Sequence, residues 1–403
     1  MRAVYLLFAL LSLFSCMLPA GVFSMIWDPI STNMTVGVPS IAILRMLLAA
    51  GVVLAVILSD RIRSSALVRD LMIAATALEA LALLGFSLSR VFWNLCAWSV
   101  CLGFGLGMGV CLLCRNVRMA DGKYVEVVFA AGAAGAAAGV GILALVFREN
   151  GGWRTACQIL AVVQVLLCLV QFSLRRSALL HSEEDLRILE RSHNRTQSQR
   201  RHEKIDRDGD VDERYGSAYI RRLCCMYLAS VLCFLLITAA VLWPQTYLVA
   251  AGLETIPGGL SVILVCAGLA CGRLVSSLFR VPREVKGMAA AILAVLATGI
   301  GALMMRSGTS TQMLMVFQFL TGVCAGPVFP CLVSAQDERL DEEMQGSLLS
   351  LLSAFYFGSW ALITPLAQAL VGSSRESEFM LFMFADAVLM ALCLVFSQKR
   401  VKR

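Results

Sequence analysis

What limits this chain most is a succession of apolar stretches, each about 20 residues long, broken by one long polar interval. A helix rises about 1.5 Å per residue, so such a stretch crosses the roughly 30 Å hydrocarbon core of a bilayer. The polar interval runs from Arg175 to Arg222 and holds all three histidines. It includes Arg200-Arg201-His202-Glu203-Lys204 and Asp206-Arg207-Asp208-Gly209-Asp210. Hydrophobic residues make up 59% of the 403 and charged ones only 15%. Mean hydropathy is +0.79. A water-soluble fold carries about 25% charged residues, so lipid is the solvent that this composition suits. In lipid every backbone N–H and C=O must be bonded internally, which makes the stretches helices and the protein an all-α integral membrane protein.

Spans are expected over roughly 3–27, 38–59, 67–88, 91–114, 124–147 and 153–174. After the interval they resume at 223–249, 257–279, 287–305, 311–334, 346–371 and 378–397. These twelve transmembrane helices fall into two six-helix halves, residues 1–174 and 223–403, joined by the charged linker 175–222. Charge gives an independent test. With both termini cytoplasmic, Asp60-Arg61-Ile62-Arg63, Arg115 to Lys123, the linker, Arg280 to Lys286 and the tail Lys399 to Arg403 all lie inside. Arg90, Arg148, Arg154, Arg306 and Arg375 lie outside. That asymmetry is the positive-inside signature, and an odd number of spans before the linker would destroy it. The first run contains Leu13-Phe14-Ser15-Cys16, which has the look of a lipid-attachment signal. It nevertheless continues to Trp27, too long for a signal core, and reads as the first span. A weak internal repeat closes each half: Leu167-Cys168-Leu169-Val170-Gln171-Phe172 before Arg175, and Leu392-Cys393-Leu394-Val395-Phe396 before Lys399.

Several classes of function are disfavoured by the same residues. The net charge of +7 sits in loops and has no aromatic interleaving, so nucleic acid is not an expected partner. Nearly all fifteen cysteines lie inside apolar stretches, where they act as small hydrophobes. Cys111 and Cys114 have the spacing of a metal pair but no second pair or histidine beside them. The acidic run Asp206 to Asp212 places its glycine two positions early for a calcium loop and lacks the closing glutamate. No phosphate-binding loop of the Gly-x-x-x-x-Gly-Lys type occurs, which argues against direct ATP coupling, and no cofactor is expected.

Several short motifs carry a resemblance. Asp60-Arg61 follow the second span within Val56 to Arg63. Glycine-rich runs occupy the fourth span (Gly103 to Gly109) and the tenth (Gly322 to Pro330). Gly151-Gly152-Trp153-Arg154 opens the sixth, and Gly272-Arg273 stands near the end of the eighth. In this order the chain resembles the major facilitator superfamily of secondary transporters. In the inside-loop motif of that family Val56 and Arg63 stand where glycines are usual. The resemblance implies two bundles rocking about a central site, lined by the first, fourth, seventh and tenth spans. It also implies a cytoplasmic gate at Asp60 and Arg61, with Arg115 or Arg118 as the basic partner. The Gly-Pro step of the family's antiporters is missing from the fifth span, which instead reads Ala130 to Gly139 as a smooth face of small residues.

Ionisable groups inside spans are costly and so point to function. Arg45 lies within the second span, suited to an anionic solute or to pairing with Asp28 or Glu79. Asp28 ends the first span, Glu79 is near the middle of the third and Asp386 lies in the twelfth. These three acids are the coupling candidates, with ion pairing as the alternative. Arg273 is expected to snorkel toward the inner face or to pair with the acidic loop Asp337 to Glu343. Amides beside aromatic rings suit polyhydroxylated solutes, because rings stack on apolar faces while amides bond hydroxyls. Asn94, Trp98, Trp243, Gln245, Gln318, Tyr356 and Trp360 are candidates of this kind, whereas Trp93 and Tyr247 read as interface anchors. The expected activity is secondary transport of a sugar-like solute or small organic anion in a cell membrane, by a monomer working as a symporter on H+ or Na+. The alternative is a membrane sensor or scaffold of the same fold that signals through its linker. No enzymatic chemistry is expected.

Overall fold

The computed structural model describes residues 2–22, 26–59, 62, 65–117, 122–149, 151–175, 217–250, 258–279, 281–306, 311–334, 348, 350–353, 355, 356 and 376–397. Among them the regular structure is helical. In chain order the helices are α1 (Arg2–Val22), α2 (Trp27–Met34), α3 (Val38–Ser59), α4 (Ser65–Leu88), α5 (Phe92–Val117) and α6 (Gly122–Arg148). Then come α7 (Trp153–Arg175) and α8 (Ser217–Ala250), α9 (Gly258–Leu278), α10 (Arg283–Arg306), α11 (Thr311–Ala325), α12 (Val328–Ser334) and α13 (Glu376–Ser397).

Among the described residues eight helical stretches are long and apolar enough to cross a membrane, and α1, α10 and α13 contribute the shorter apolar runs Val4–Ala20, Val285–Gly301 and Leu381–Ser397. Most of the eleventh expected span, 346–371, lies outside the described residues, as do the linker from 176 to 216 and the tail. Several boundaries differ from the sequence expectation. Helix α8 begins at Ser217, inside the expected linker, and a bend at Ile26 precedes a separate helix α2, whose first turn holds Asp28. The Asp28-Pro29 step explains the new start, since proline fits the first turn of a helix, where its missing N–H costs nothing. The tenth apolar stretch is divided into α11 and α12 around Gly326-Pro327. Pro327 and Pro330 each withhold an N–H from the carbonyl four residues earlier.

In the first group of helices α3 packs on α5, α1 on α6, and α4 on α5; in the second, α9 packs on α11, α8 on α13, and α10 on α13. The closest seams are backbone to backbone. Gly51 of α3 faces the Val100 carbonyl and Phe104 N–H of α5, while Gly103 and Gly107 face Leu48 and Val52 in return. The same arrangement recurs further along: Gly268 of α9 faces the Phe319 carbonyl and Val323 N–H, while Gly322 and Gly326 face Val265 and Leu269. A Cβ at Gly51 or Gly268 would fall on a carbonyl oxygen, so both seams require glycine. Lipid tails are as apolar as leucine, so helices associate there through this kind of close approach. The outward surface carries Leu54, Ile57, Leu81, Leu166, Leu169, Phe172, Leu296 and Phe396, all more than 45% exposed. So broad an apolar surface belongs against lipid.

Candidate functional site

Helices α6 and α9 form the main contact between the two groups. The bonds across it lie toward one end of the bundle, where α7 ends at Arg175 and α8 begins at Ser217. At this connector end Glu126, in the second turn of α6, is 4% exposed. Lys286, in the first turn of α10, places Nζ 3.3 Å from Glu126 Oε1. Ser276 of α9 donates its hydroxyl to the same oxygen at 3.1 Å, and Lys286 donates to the Ser276 carbonyl at 2.8 Å. The carboxylate thus has both a cation and a hydroxyl, the conditions under which a charge is tolerated away from water.

One turn deeper, Arg273 of α9 is 6% exposed. Its Nη1 donates to the Phe129 carbonyl of α6 at 2.6 Å and its Nε to the Gly326 carbonyl at 3.0 Å. The second acceptor is explained by the sequence. Pro330 has no N–H to offer the carbonyl four residues before it, so Gly326 accepts from the guanidinium instead. Arg273 therefore does not snorkel, because two backbone acceptors hold it inside the seam; the acidic loop Asp337 to Glu343 lies outside the described residues. The guanidinium also lies 5.8 Å from the Phe129 ring. Phe129 meets Phe329 of α12 edge-on at 5.4 Å, and Phe329 lies 4.0 Å from Tyr356, which in turn meets Phe234 of α8 at 4.8 Å. This aromatic layer fills the space between the groups beside Arg273. A second contact across the groups joins the Ser353 hydroxyl to Cys114 Sγ of α5 at 3.7 Å.

The sequence candidates scatter around this seam. Tyr356 belongs to the aromatic layer and is 6% exposed. Gln318 of α11 is 2% exposed, and its Nε2 has no hydrogen-bond partner among the described residues. Arg45 is half-buried on α3, Asn94 is exposed in the first turn of α5, and Trp98 lays its ring over Gly85 of α4. Trp93 is 74% exposed at the end of α5 far from the connector, in keeping with an anchor. Asp386 is buried on α13, and its Oδ2 has no hydrogen-bond partner among the described residues. Glu79 is fully buried on α4 and accepts a 2.8 Å hydrogen bond from Gln164 Nε2 of α7. Asp60, Arg61, Arg118 and Trp360 lie outside the described residues. So do the side chains of Asp28, Arg115, Trp243 and Gln245, whose backbones are helical.

Sequence reasoning missed the pairing of Glu126 with Lys286 and the role of the Phe129 carbonyl. Both charges stand at helix starts, where they read as ordinary loop charges. It also passed over Gln164 and Gln171, amides within the apolar stretch of α7, which is the signal that could have found them.

The Major Facilitator Superfamily model matches residues 3–364. No curated protein matches the chain. Among solved structures, one titled as the MFS proton:xylose symporter XylE bound to 6-bromo-6-deoxy-D-glucose superposes with a TM-score of 0.70. It is 13% identical, and the match covers 97% of this chain and 93% of that one. At that identity the likeness is one of fold.

Proposed function

The chain belongs to the Major Facilitator Superfamily, and from that premise we propose that it moves a small organic solute across a cell membrane by alternating access, driven by an ion gradient. Residues 1–174 and 223–403 are the two moving halves of a twelve-span monomer, the charged linker 175–222 ties them together, and both termini and the linker face the cytoplasm. The observation that carries this reading is the one-sided closure between α6 and α9. Glu126, Arg273, Ser276 and Lys286 join the two groups toward the connector end. With that end cytoplasmic, this seam would be the inner gate that opens and closes as the halves rock.

The solute is sugar-like or a small organic anion. The buried and unpartnered Gln318 amide supports the first class, because a donor held away from water is ready to bond a hydroxyl. Arg45 supports the second. The similar structure is titled as a proton:xylose symporter, which makes a sugar with H+ the first pair to try. Asp28, Glu79 and Asp386 are the coupling candidates, with Na+ as the other ion. Asp60 and Arg61, with Arg115 or Arg118, remain a proposed second latch beside the α6–α9 seam.

Uptake into proteoliposomes, with an imposed pH or sodium gradient and labelled sugars set against labelled carboxylates, tests the proposal. Accumulation above equilibrium that collapses with the gradient is the expected result. Absence of uptake for both classes under both gradients, with the protein folded and inserted, counts against it.

A further inference from the structure

Two glutamines of α7 do something that the transport reading does not use. Gln164 and Gln171 are two turns apart, so they share a face. Gln164 Nε2 donates to Glu79 Oε2 of α4 at 2.8 Å and to the Ser15 carbonyl of α1 at 2.9 Å, while its Oε1 accepts from the Ser15 hydroxyl at 2.5 Å. Gln171 repeats the pattern more loosely, accepting from the Thr76 hydroxyl of α4 at 3.2 Å and donating to the Leu11 carbonyl of α1 at 3.5 Å. The Ser15 carbonyl is available for a reason written in the sequence. Its helical partner would be the N–H of residue 19, and residue 19 is proline. A single amide therefore fills the gap that Pro19 leaves in α1 and holds a buried carboxyl on α4.

That carboxyl lacks the partners of an ordinary structural acid. Glu79 is 0% exposed, and among the described residues its Oε1 has no hydrogen-bond partner. Facing it are the Cys16 thiol from α1, which hydrogen-bonds the carboxyl, Gln164 from α7 and Gly105 from α5; no basic side chain among the described residues of these helices acts on it. Arg69, on its own helix, is ten residues away, roughly 15 Å along the axis. An unpaired buried charge is very costly, whereas a proton on the free oxygen removes it. On the opposite side, Glu126 has the Lys286 ammonium and the Ser276 hydroxyl as partners.

We propose that Glu79 is a proton-binding site and that Gln164 transmits its occupancy to α1 at the Pro19 step. A proton arriving from water settles on Oε1, which leaves Oε2 to accept from Gln164. With the proton absent, the charge-assisted bond from Gln164 fixes the amide and, through it, the Ser15 carbonyl; such bonds are about twice as strong as neutral ones. With the proton bound, the amide is held less firmly and the Pro19 step of α1 loosens. In the transport reading, on which this use of the site rests, α1 lines the solute path, so protonation would alter the helix that meets the solute.

The test needs no solute. The full-length protein in liposomes is studied by infrared difference spectroscopy between acidic and alkaline buffer. In parallel, hydrogen–deuterium exchange of residues 11–22 is measured and corrected for the intrinsic effect of pH. The wild type should show a titrating protonated-carboxyl band, together with exchange in 11–22 that is faster on the acidic side. Glu79→Gln, which preserves shape, should lose the exchange response and its own component of the band, and any component that remains should be removed by Asp386→Asn. Pro19→Ala restores the missing N–H and frees the Ser15 carbonyl from Gln164, so it should keep the band and lose the exchange response. Gln164→Met should shift the band and also lose the response. A wild type with no such band overturns the proposal, as does a band left unchanged by Glu79→Gln. An exchange response that persists in Gln164→Met and Pro19→Ala overturns it too. Because none of these measurements involves uptake, failure here leaves the transport proposal to its own assay.

Discussion

Arg273 shows how one side chain can set the balance between two states. Its guanidinium reaches two carbonyls on different helix groups, and a lysine ammonium, a compact point charge, does not reproduce that fork. Arg273→Lys should weaken the closure by about 2 kcal/mol, the size of a hydrogen bond to a charged group, which is roughly thirtyfold in the closed-to-open ratio. Solvent access from the connector side, read by a membrane-impermeant label on inverted vesicles, should rise while the amount of inserted protein stays constant. Gln318→Leu makes the complementary prediction. If its orphaned donor meets the solute, uptake falls severalfold with the fold intact, since an apolar residue of similar size is tolerated there. Arg273 also marks a limit of sequence reading. Its depth in the eighth span was legible, but its partners are backbone atoms exposed by Pro330, and a carbonyl has no letter in the sequence. Glu126 and Lys286 could be seen as charges but not as a pair, because 160 residues separate them.

At the scale of helices, the two glycine seams make a paired prediction. Leucine at Gly51 or at Gly268 drives a side chain into a neighbouring carbonyl, at a cost of about 1–3 kcal/mol or more for an overpacked site. If the seams are equivalent, both variants should lower the thermal midpoint by similar amounts in detergent, and a large difference between them would contradict that. The glycine runs of the fourth and tenth stretches were visible in the sequence as runs. That Gly103 and Gly107 answer Leu48 and Val52, as Gly322 and Gly326 answer Val265 and Leu269, was not, because register between helices depends on rotation as well as spacing. The bend before α2 and the division of α11 from α12 were hidden for a related reason. Apolar residues continue through both places, and only the prolines and their carbonyls reveal the interruption. Helix identity was otherwise easy to read, because a 20-residue apolar run in lipid has few alternatives.

For the molecule as a whole, α6 against α9 is the joint that must change if the halves rock. Cysteines at positions 126 and 276, in a background where the exposed Cys224 and Cys271 are serine, should form a disulfide that stops uptake, and reduction should restore it. Uptake that continues through the cross-link would show that this seam stays shut during turnover. Charge patterning predicts that a reagent applied outside the cell leaves the 176–216 connector unlabelled, and labelling from outside would reverse the proposed orientation. The glycine seams carry a last consequence for the surroundings of the protein. Backbone packed directly on backbone has almost no give, so α3 with α5, and α9 with α11, behave as stiff boards. When the acyl chains of the host bilayer shorten or lengthen, the stress has to be taken up where polar bonds can be exchanged, between the boards. Turnover should therefore vary with lipid chain length.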